Sequence, residues 1–577
     1  MDERPTYIPE TQSESSAGSR RTPKSIRLAF VSMVSVVLIG CFFTRQIKLI
    51  GLHRRELYRE NVFWYLYAEH EPFFFGLTIV TIVLSYLYFR WSFSFLTVSG
   101  LQQSWAKRCH VFMIAGGVFL VTAVGTYFVF HDFPVCNDEF MAAYQASIFA
   151  AGRIFATVPP EWREFALPLT PIFAVYNPDR HTWISAYLPV YSAIRALFHL
   201  GAVESLTNPF LAALSILGLA GVARNLWPGS REHVVVAVAL LASSSQFLLM
   251  SMTAFAMSAH LCLNLLWLWL YTQRSRFGWV LTPWVGVLAL GLHNPGVHAL
   301  FVAPFLVRLL RNERRSISAY FASVYLIGSA FWLFWMTKVT QGIVSGGGEQ
   351  TTASVFGFPG PSEVVANIMH LSMLVSWQAF PLIFFSLIAI GPGHSLPPVF
   401  KDLIWSFILT YGFYWFFLPG QSHGWGYRYC YSVLGNLALL GVVGWQEIIR
   451  WAGGRKALSF LLGTCTLALV VGLPVRCSQA EKFVRPYFLS VEYIKSLPVP
   501  LVVFDARTVW SPRDFSRNDP FLKSNPKLFY SDRLTQAQRT RLHQLGDVQI
   551  VGGEQLSQFG MPKTQTVKRN EKGSGDC

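Results

Sequence analysis

The chain has 577 residues, of which 52% are hydrophobic, 15% aromatic and only 14% charged, and its mean hydropathy is +0.38. Soluble domains carry about a quarter charged residues, so this composition excludes a soluble globular protein and indicates a polytopic membrane protein. The net charge of +16 does not indicate a nucleic-acid partner, because the basic residues cluster in short loops between apolar segments, as the positive-inside rule predicts for membrane proteins.

The first 27 residues are polar and show no cleavable-signal pattern, so we expect a disordered cytoplasmic tail over 1–27. The apolar segments that follow are long enough to cross a membrane, since about 20 residues of helix span the hydrocarbon core. They predict one multi-span domain over 28–475 with about 13 transmembrane helices. The candidate spans lie near residues 28–44, 73–90, 111–130, 183–200, 206–223, 234–252, 254–271, 279–295, 299–311, 319–340, 368–390, 402–418, 429–447 and 457–475.

The basic loops between spans set the expected orientation. The loops "TQRSRFG", "RLLRNERRS" and "RWAGGRK" should face the cytoplasm, which places the loops 291–298 and 419–429 on the external side together with the C-terminal segment. Counted from the N-terminus, the acidic loop 131–182 is external as well, yet two apolar segments join it to the basic loop around Arg224. One segment within 183–252 therefore lies in the interface or re-enters, or one basic loop breaks the rule.

The last hundred residues contain no spanning run, and we expect an external, soluble α/β domain over 476–577 with a disordered end. The stretches "PLVVFDA" and "DVQIVGG" are typical of short buried strands. Between them, "TQAQRTRLHQLG" predicts a helix that ends at Gly546.

Two adjacent carboxylates, Asp138 and Glu139, stand just after the third apolar segment. They open "EFMAAYQASIFAAGRIF", which we interpret as an amphipathic interfacial helix. One interpretation is helix capping by Asn137 or Asp138, with Glu139 complementing the helix dipole. The other is that one carboxylate is a general base for attack on a sugar–phosphate, while its neighbour orients the acceptor or tunes the first pKa.

The stretch "SHGWGYRYCY" places His423 and Arg428 at the mouth of a late span, among Tyr427, Tyr429 and other aromatic residues. A guanidinium group suits a phosphate, because its planar fork binds two oxygens at once. The alternative is an interfacial aromatic belt with a snorkelling arginine.

Three further polar stretches fall in the external loops. Arg180 and His181 precede an apolar segment and either line an acceptor groove or cap its helix. His293 lies in "HNPGVH", where Pro-Gly favours a turn over a metal site, because no metal-ligand spacing accompanies it. The Gly-rich loop 341–367 lacks the ending of a nucleotide-binding loop, and a mobile lid is the better interpretation.

The order of these motifs resembles the C-type (GT-C) membrane glycosyltransferases, in particular the protein O-mannosyltransferases, the lipid A aminoarabinose transferases and similar bacterial family 39 enzymes. "NDEFMAAYQASIFAAGRIF" resembles the acidic motif of their first external loop, with Asp138 and Glu139 matching the acids. "SAYLPVYSAI", which contains Tyr187, resembles their proline-containing segment, although only Pro189 stands where two prolines are frequent. "GWGYRYCYSVLGNLALL" resembles a Gly-x-Arg-Tyr motif that opens a late span.

The resemblance implies a GT-C-like, all-α polytopic membrane protein that transfers a sugar from a polyprenyl-phosphate carrier to a glycan, lipid or protein acceptor on the external face. Asp138 would be the base or acceptor-orienting acid, supported by Glu139, and Arg428 would hold the lipid phosphate. The remaining predicted substrate-binding residues are His423, Tyr427, Tyr429, Arg180, His181, Tyr187 and His293. We expect no cofactor and no metal site, although the oligosaccharyltransferase branch uses a divalent ion. Membrane lipids would be partners, and the expected location is a bacterial inner membrane with the site facing the periplasm.

Other classes stay open at this point. A secondary transporter would hide ionisable residues in mid-helix and show internal repeats, whereas the predicted spans carry almost no charge and no repeat is evident. A non-catalytic lipid-binding member of the same fold, or a polymerase or ligase of surface glycans, would share most of these features. The sequence names neither the donor sugar nor the acceptor.

Overall fold

The computed structural model describes residues 22–53, 62–91, 110–344, 356–418, 420–421 and 423–562. Its helices are α1 Lys24–His53, α2 Val62–Arg90, α3 Val111–Phe128, α4 Asn137–Ala150, α5 Ala166–Leu169, α6 Val190–Leu200, α7 Thr207–Leu226, α8 Arg231–Ala242, α9 Ser245–Ser251, α10 Met257–Gln273, α11 Arg276–Leu290, α12 Pro295–Asn312, α13 Arg315–Phe334, α14 Pro361–Ser376, α15 Phe380–Ile390, α16 Pro398–Phe413, α17 Leu434–Ala452, α18 Gly454–Leu467, α19 Leu473–Ser496, α20 Gln536–Leu545 and α21 Gly553–Ser557. The strands are β1 Ala156–Thr157, β2 Ala174–Asn177, β3 Thr182–Ser185, β4 Ile343–Val344, β5 Leu501–Phe504, β6 Lys527–Tyr530 and β7 Val548–Val551.

The long apolar helices confirm the predicted class of all-α polytopic membrane protein. Within the described ranges, seven helical stretches are long and apolar enough to cross a membrane. They are Lys24–Gly51, Val62–Arg90, Val111–Phe128, Glu204–Leu226, Arg315–Val339, Arg428–Ala452 and Gly454–Ser496. Two bent pairs, α8 with α9 (64°) and α14 with α15 (111°), raise the number to nine if each pair is one span. The predicted count of about 13 includes shorter helices and stays a prediction.

The candidate span near 183–200 is wrong. Its first residues form strand β3, and helix α6 has only 11 residues. At 1.5 Å per residue such a helix is about 16 Å long, roughly half the thickness of a hydrocarbon core. Without this crossing, the single helix α7 joins the acidic loop to the basic loop around Arg224, so the two lie on opposite faces. The conflict between the external position expected for the acidic loop and the cytoplasmic position expected for the Arg224 loop is thereby removed.

Contacts between loops support the same arrangement. Near the end of α17 the Trp445 indole donates to Glu232 at 3.0 Å, and His394 Nδ1 lies 3.3 Å from the Glu447 carboxylate. These residues belong to or adjoin loops that the charge pattern places in the cytoplasm. The acidic loop, the loop before α12, the loop before α17 and the C-terminal unit meet at the other end of the helices, as described below.

One buried ion pair lies just outside the predicted spans 73–90 and 457–475, within the longer helical stretches that contain those spans. Glu71 in α2 and Arg476 in α19 are 1% and 0% exposed and share two hydrogen bonds of 2.9 and 3.0 Å. The Ser376 hydroxyl and the Trp377 indole also donate to Glu71, and the guanidinium lies 3.5 Å from the centre of the Phe74 ring. Because both charges are paired within the protein, this cluster joins three helical segments and resembles a structural contact more than a transport site.

The acidic loop folds into an ordered layer between α3 and α7. Its antiparallel sheet has the order β1-β3-β2-β4, and the edge strand β4 comes from the distant Gly-rich loop, with Val344 opposite Val175. Of the predicted lid, residues 345–355 lie outside the described residues. The amphipathic pattern expected for "EFMAAYQASIFAAGRIF" is not found, because the buried side of α4 carries polar residues such as Asn137, Glu139 and Gln145, and α6 and β3 pack against this helix.

The C-terminal unit confirms the small α/β domain of the predicted fold class. Strands β5 and β7 and helix α20 form where the sequence predicts them, and a capping box between Thr535 and Gln538 begins the helix. Strand β6, which the sequence did not indicate, completes a parallel sheet of order β6-β5-β7. The predicted boundary at residue 476 falls inside α19, which continues the last span without interruption. The Trp183 indole donates to the Pro520 carbonyl at 2.7 Å and fixes this unit on the acidic loop.

Candidate functional site

The first turn of α4 sends its two carboxylates into different surroundings. Consecutive helical residues point about 100° apart, so Asp138 and Glu139 face different neighbours. Asp138 lines a cavity, and Glu139 is 1% exposed within the protein. The N-cap of α4 is Cys136, and it makes no side-chain capping bond. Capping by Asn137 or Asp138 therefore does not explain the acid pair.

Asp138 is held from two sides. The Tyr187 hydroxyl donates to Oδ1 in a short hydrogen bond, and Arg428 Nη1 donates to Oδ2 at 3.0 Å. Burial opposes ionisation of this carboxyl, but the charge of Arg428 and the hydrogen bonds from Tyr187 and Arg428, taken together with the other favourable charges, lower the pKa of Asp138 below its ordinary value. The positive end of the α4 dipole acts in the same direction. Asp138 is therefore a carboxylate at neutral pH.

Glu139 behaves in the opposite way. Its Oε2 accepts the Val135 backbone N–H at 3.1 Å, while burial raises the pKa of Glu139 to about 8. The side chain is thus largely protonated at neutral pH and does not reach the cavity. Two neighbouring carboxyls consequently occupy different protonation states, and only Asp138 is placed to meet a ligand.

Arg428 begins a short 3₁₀ turn, and Tyr427 separates it from the Gly-Trp-Gly segment. Gly426 has φ of +76°, and a Cβ there would come within 2.7 Å of Gln246, so glycine is required for this tight approach. Gln246 Nε2 donates to the Tyr427 carbonyl at 2.7 Å, and Gln421 Oε1 accepts the Arg428 N–H at 3.0 Å. Two buried glutamines therefore fix the backbone that carries the arginine, and the sequence motifs did not single them out.

The guanidinium of Arg428 lies over two aromatic rings, 5.0 Å from the centre of Phe255 and 5.4 Å from that of Tyr429. Its side chain is 7% exposed, and its Nε has no hydrogen-bond partner among the described residues. A snorkelling arginine would extend into water, so the aromatic-belt interpretation does not fit this side chain.

The other residues of this stretch take separate places. Tyr429 lines the cavity and stacks on Tyr414 with ring centres 4.2 Å apart. His423 also lines the cavity, where its Nε2 lies 3.7 Å from Asp514 Oδ2, and burial lowers the pKa of His423. Tyr427 is fully buried behind the cavity wall and is not among the lining residues.

The C-terminal unit contributes to the site, which the sequence did not reveal. Asp514 lines the cavity and accepts the Asn137 backbone N–H at 3.2 Å. Arg517 Nη2 donates to the Val135 carbonyl at 2.9 Å, and its guanidinium lies 4.2 Å from the centre of the Phe133 ring. The segment "SPRDFSRND" resembles an ordinary polar loop, so no local signal marks Asp514 or Arg517 as neighbours of the acidic motif.

Of the four other predicted site residues, Tyr187 bonds to Asp138. His293 contacts Tyr187 instead, with ring centres 3.7 Å apart. Burial lowers the pKa of His293 to about 4, so this ring is neutral. Arg180 and His181 lie at the turn between β2 and β3 and are not among the lining residues of the cavity.

The cavity itself holds about 670 Å³, a volume typical of small-molecule sites. The polar part of its lining, here called the polar wall, includes Asp138, Glu363, His423 and Asp514, and much of the remaining lining is aromatic or aliphatic. The apolar part of the lining, here called the apolar wall, consists of Val62, Phe63, Trp64, Ile172, Phe173, Ala366, Tyr414, Phe417 and Leu418. A further aromatic pair adjoins it, since Phe358 is 91% exposed and packs against Phe416, which neighbours the lining residue Phe417. The arrangement suits a ligand with a polar head and a long apolar tail.

No group of three or more His, Cys, Asp or Glu side chains that could hold a metal ion occurs in the part of the chain that the structure describes. The carboxylates of Asp138 and Asp514 line the same cavity, but each already accepts hydrogen bonds from protein donors.

Comparison with known proteins finds likeness in fold and not in sequence. No family model and no curated protein matches the chain. The structure is similar to ArnT from Cupriavidus metallidurans bound to undecaprenyl phosphate, with 14% identity, a TM-score of 0.46 and coverage of 74% of this chain and 87% of that chain. The apo state of the same protein gives 13% identity, a TM-score of 0.45 and coverage of 72% and 85%. The apo oligosaccharyltransferase of Archaeoglobus fulgidus is similar with 11% identity and a TM-score of 0.41, and the match covers 75% of this chain and 66% of that chain.

Each of these comparisons is a likeness of fold at low sequence identity. No residue role is transferred from them to this chain.

Proposed function

We propose that this protein is a membrane glycosyltransferase that moves a sugar from a polyprenyl-phosphate carrier to an acceptor. The observation that carries the proposal is the pairing of ionised Asp138 with Arg428 beside a cavity that is lined by both charged and apolar side chains. A general base and a phosphate ligand are the two groups that such a transfer needs. The acid motif and the Gly-x-Arg-Tyr motif of the resemblance converge on this contact.

In the proposed reaction, a hydroxyl or amine of the acceptor attacks the anomeric carbon of the donor sugar. The bond between that carbon and the phosphate oxygen breaks, and its electron pair leaves with the phosphate. Asp138 accepts the proton of the acceptor group, while Tyr187 keeps the carboxylate oriented. Arg428 stabilises the charge that develops on the departing phosphate. Arg428 adjoins the cavity without being one of its lining residues, and in this proposal the phosphate supplies the partner that its buried Nε lacks among the described residues.

The carrier lipid enters along the apolar wall in this proposal. The wall is built from the beginning of α2 and the end of α16, and exposed Phe358 extends it outward. A prenyl chain gains free energy by contact with these rings at about 25 cal/mol per Å² of apolar surface removed from water. The sugar and phosphate would then lie at the polar wall.

The test uses purified protein in liposomes that contain radiolabelled sugars on undecaprenyl phosphate. We expect Asp138→Asn to lower kcat at least about a hundredfold while carrier binding persists, since general-base catalysis contributes about that much. Arg428→Gln should lower kcat and weaken carrier binding together. Asp179→Asn and Arg507→Gln are the matched controls, because both side chains lie exposed outside the cavity, and they should leave turnover unchanged.

If the wild type consumes no donor from a broad panel of carrier-linked sugars, or if both site variants turn over like the wild type, the proposed function is wrong. A loss of binding in Arg428→Gln without any turnover in the wild type would instead favour a non-catalytic lipid-binding protein.

A further inference from the structure

His370 in α14 is a buried polar residue that the proposed reaction does not yet use. It lines the cavity, its side chain is 3% exposed, and neither ring nitrogen has a hydrogen-bond partner among the described residues. His298 is buried as deeply, but its nitrogens meet Asn264 at 2.8 Å and Tyr325 at 3.0 Å. A buried donor without a partner costs free energy, so His370 is the kind of side chain that a ligand completes.

The orientation of the imidazole is fixed by packing. Its ring stacks on Tyr427 with centres 4.7 Å apart and planes 11° apart, and Phe63 packs on it at 4.5 Å. Stacking covers the faces of the ring, so a hydrogen-bonding partner can meet it only in the ring plane, at the edge that carries the two nitrogens. The ring is therefore prepared for binding without a further loss of side-chain entropy.

The neighbourhood of His370 contains charges of both signs, since the carboxylates of Asp138, Glu363 and Asp514 line the same cavity and Asp138 is paired with Arg428. Tyr427 directly precedes Arg428 in the chain, and Arg428 lies close enough to act electrostatically on His370. A cationic group would be repelled by this guanidinium, whereas a phosphate oxygen is attracted to it and accepts a hydrogen bond from a neutral imidazole N–H.

We propose that His370 is a second ligand of the carrier phosphate, donating a hydrogen bond to one phosphate oxygen beside Arg428. This inference rests on the proposed function, since it assigns the polyprenyl phosphate to this cavity. It adds a contact from α14, a helix in which the sequence motifs indicated no site residue. Arg428 and His370 would then hold the phosphate from two elements of the fold.

The test compares two probes that differ only in the phosphate, undecaprenyl phosphate and undecaprenol, binding to the purified protein in nanodiscs. Binding is followed by the fluorescence change of tryptophan, since Trp64 lines the cavity. The variant is His370→Phe, which keeps a ring to stack on Tyr427 and Phe63 and removes the N–H. We expect about tenfold weaker binding of undecaprenyl phosphate and unchanged binding of undecaprenol, as for the loss of one hydrogen bond to a charged group. His370→Gln, which restores an N–H donor, should recover part of the lost affinity.

His298→Phe is the control for general damage to a buried histidine, and it should lower stability without changing the preference for the phosphate. If His370→Phe weakens both probes equally, or neither, the residue only shapes the wall and the inference is wrong while the proposed function stands. If the wild type binds undecaprenyl phosphate no better than undecaprenol, the phosphate site fails as a whole, and both proposals fall together.

Discussion

The protonation of Glu139 gives a prediction about stability that does not depend on the reaction. In the folded protein the pKa of this carboxyl is raised to about 8 by burial, whereas a glutamate in an unfolded chain has a pKa of about 4.3. Between these values the folded protein keeps a proton that the unfolded chain has released. Raising the pH therefore favours unfolding, and the stabilisation present below about pH 4.3 is lost progressively up to about pH 8.

The size of this pH effect follows from the single proton that Glu139 keeps in the folded protein and releases in the unfolded chain. Each pH unit in this window lowers the free energy of unfolding by about 1.4 kcal/mol. Deprotonation of Glu139 on unfolding should therefore lower the free energy of unfolding by about 2 kcal/mol when the pH is raised from about 6 to about 7.5. Glu139→Gln removes this dependence, and its amide oxygen still accepts the Val135 N–H. His293 and His423, whose pKa values are lowered by burial, contribute equally to both proteins and cancel in the comparison.

The assay is unfolding by titration with dodecyl sulfate in mixed micelles at the two pH values. The wild type should lose about 2 kcal/mol more than Glu139→Gln on going to the higher pH. Glu492→Gln is the matched control, because Glu492 is half exposed and pairs with Lys495 on the surface, and it should follow the wild type. Equal pH dependence in the wild type and in Glu139→Gln would show that Glu139 is ionised in the folded protein, and the assignment of different protonation states to the acid pair would be wrong.

Two further predictions concern packing between helices. Glu71→Gln leaves the fully buried Arg476 without its charged partner and should lower the free energy of unfolding by about 3–5 kcal/mol. The double variant Glu71→Gln with Arg476→Met should lose less stability, because no unpaired charge stays buried. A loss below about 1 kcal/mol in Glu71→Gln alone would contradict this prediction. Gly444→Ala should destabilise by about 1–3 kcal/mol, because its Cβ would meet the Phe385 carbonyl oxygen, while Gly463→Ala, with nothing within 4 Å, should be neutral or slightly stabilising. Melting temperatures of the two alanine variants check the second prediction, and equal values would refute the close approach at Gly444.

Features that depend on nearby residues were predictable from the sequence. Apolar runs identified the long helices, because about 20 consecutive apolar residues satisfy their own backbone hydrogen bonds and match the bilayer. The same local signals located β5, β7 and α20, where the capping box at Thr535 begins the helix. The segment 183–200 is the informative failure, since its apolar composition fits a span but β3 and the short α6 do not. The first part of this segment is a strand because it pairs with β1 and β2. Hydropathy depends only on the residues of the segment itself and therefore cannot reveal such pairing.

For the site, the sequence indicated Asp138 and Arg428 as residues of interest, and only the tertiary structure joined them, across 290 positions of the chain. The separation of Asp138 from Glu139 into different environments, and the arrival of Asp514 beside His423, depend on how α4 and the C-terminal unit pack. Local composition determines whether a segment is apolar enough to span a membrane, because the free energy of transfer into the membrane is a sum over neighbouring residues. Which polar groups meet, and with what charge, is decided by contacts between segments far apart in the chain, since burial and a nearby opposite charge set the protonation of each group only after folding.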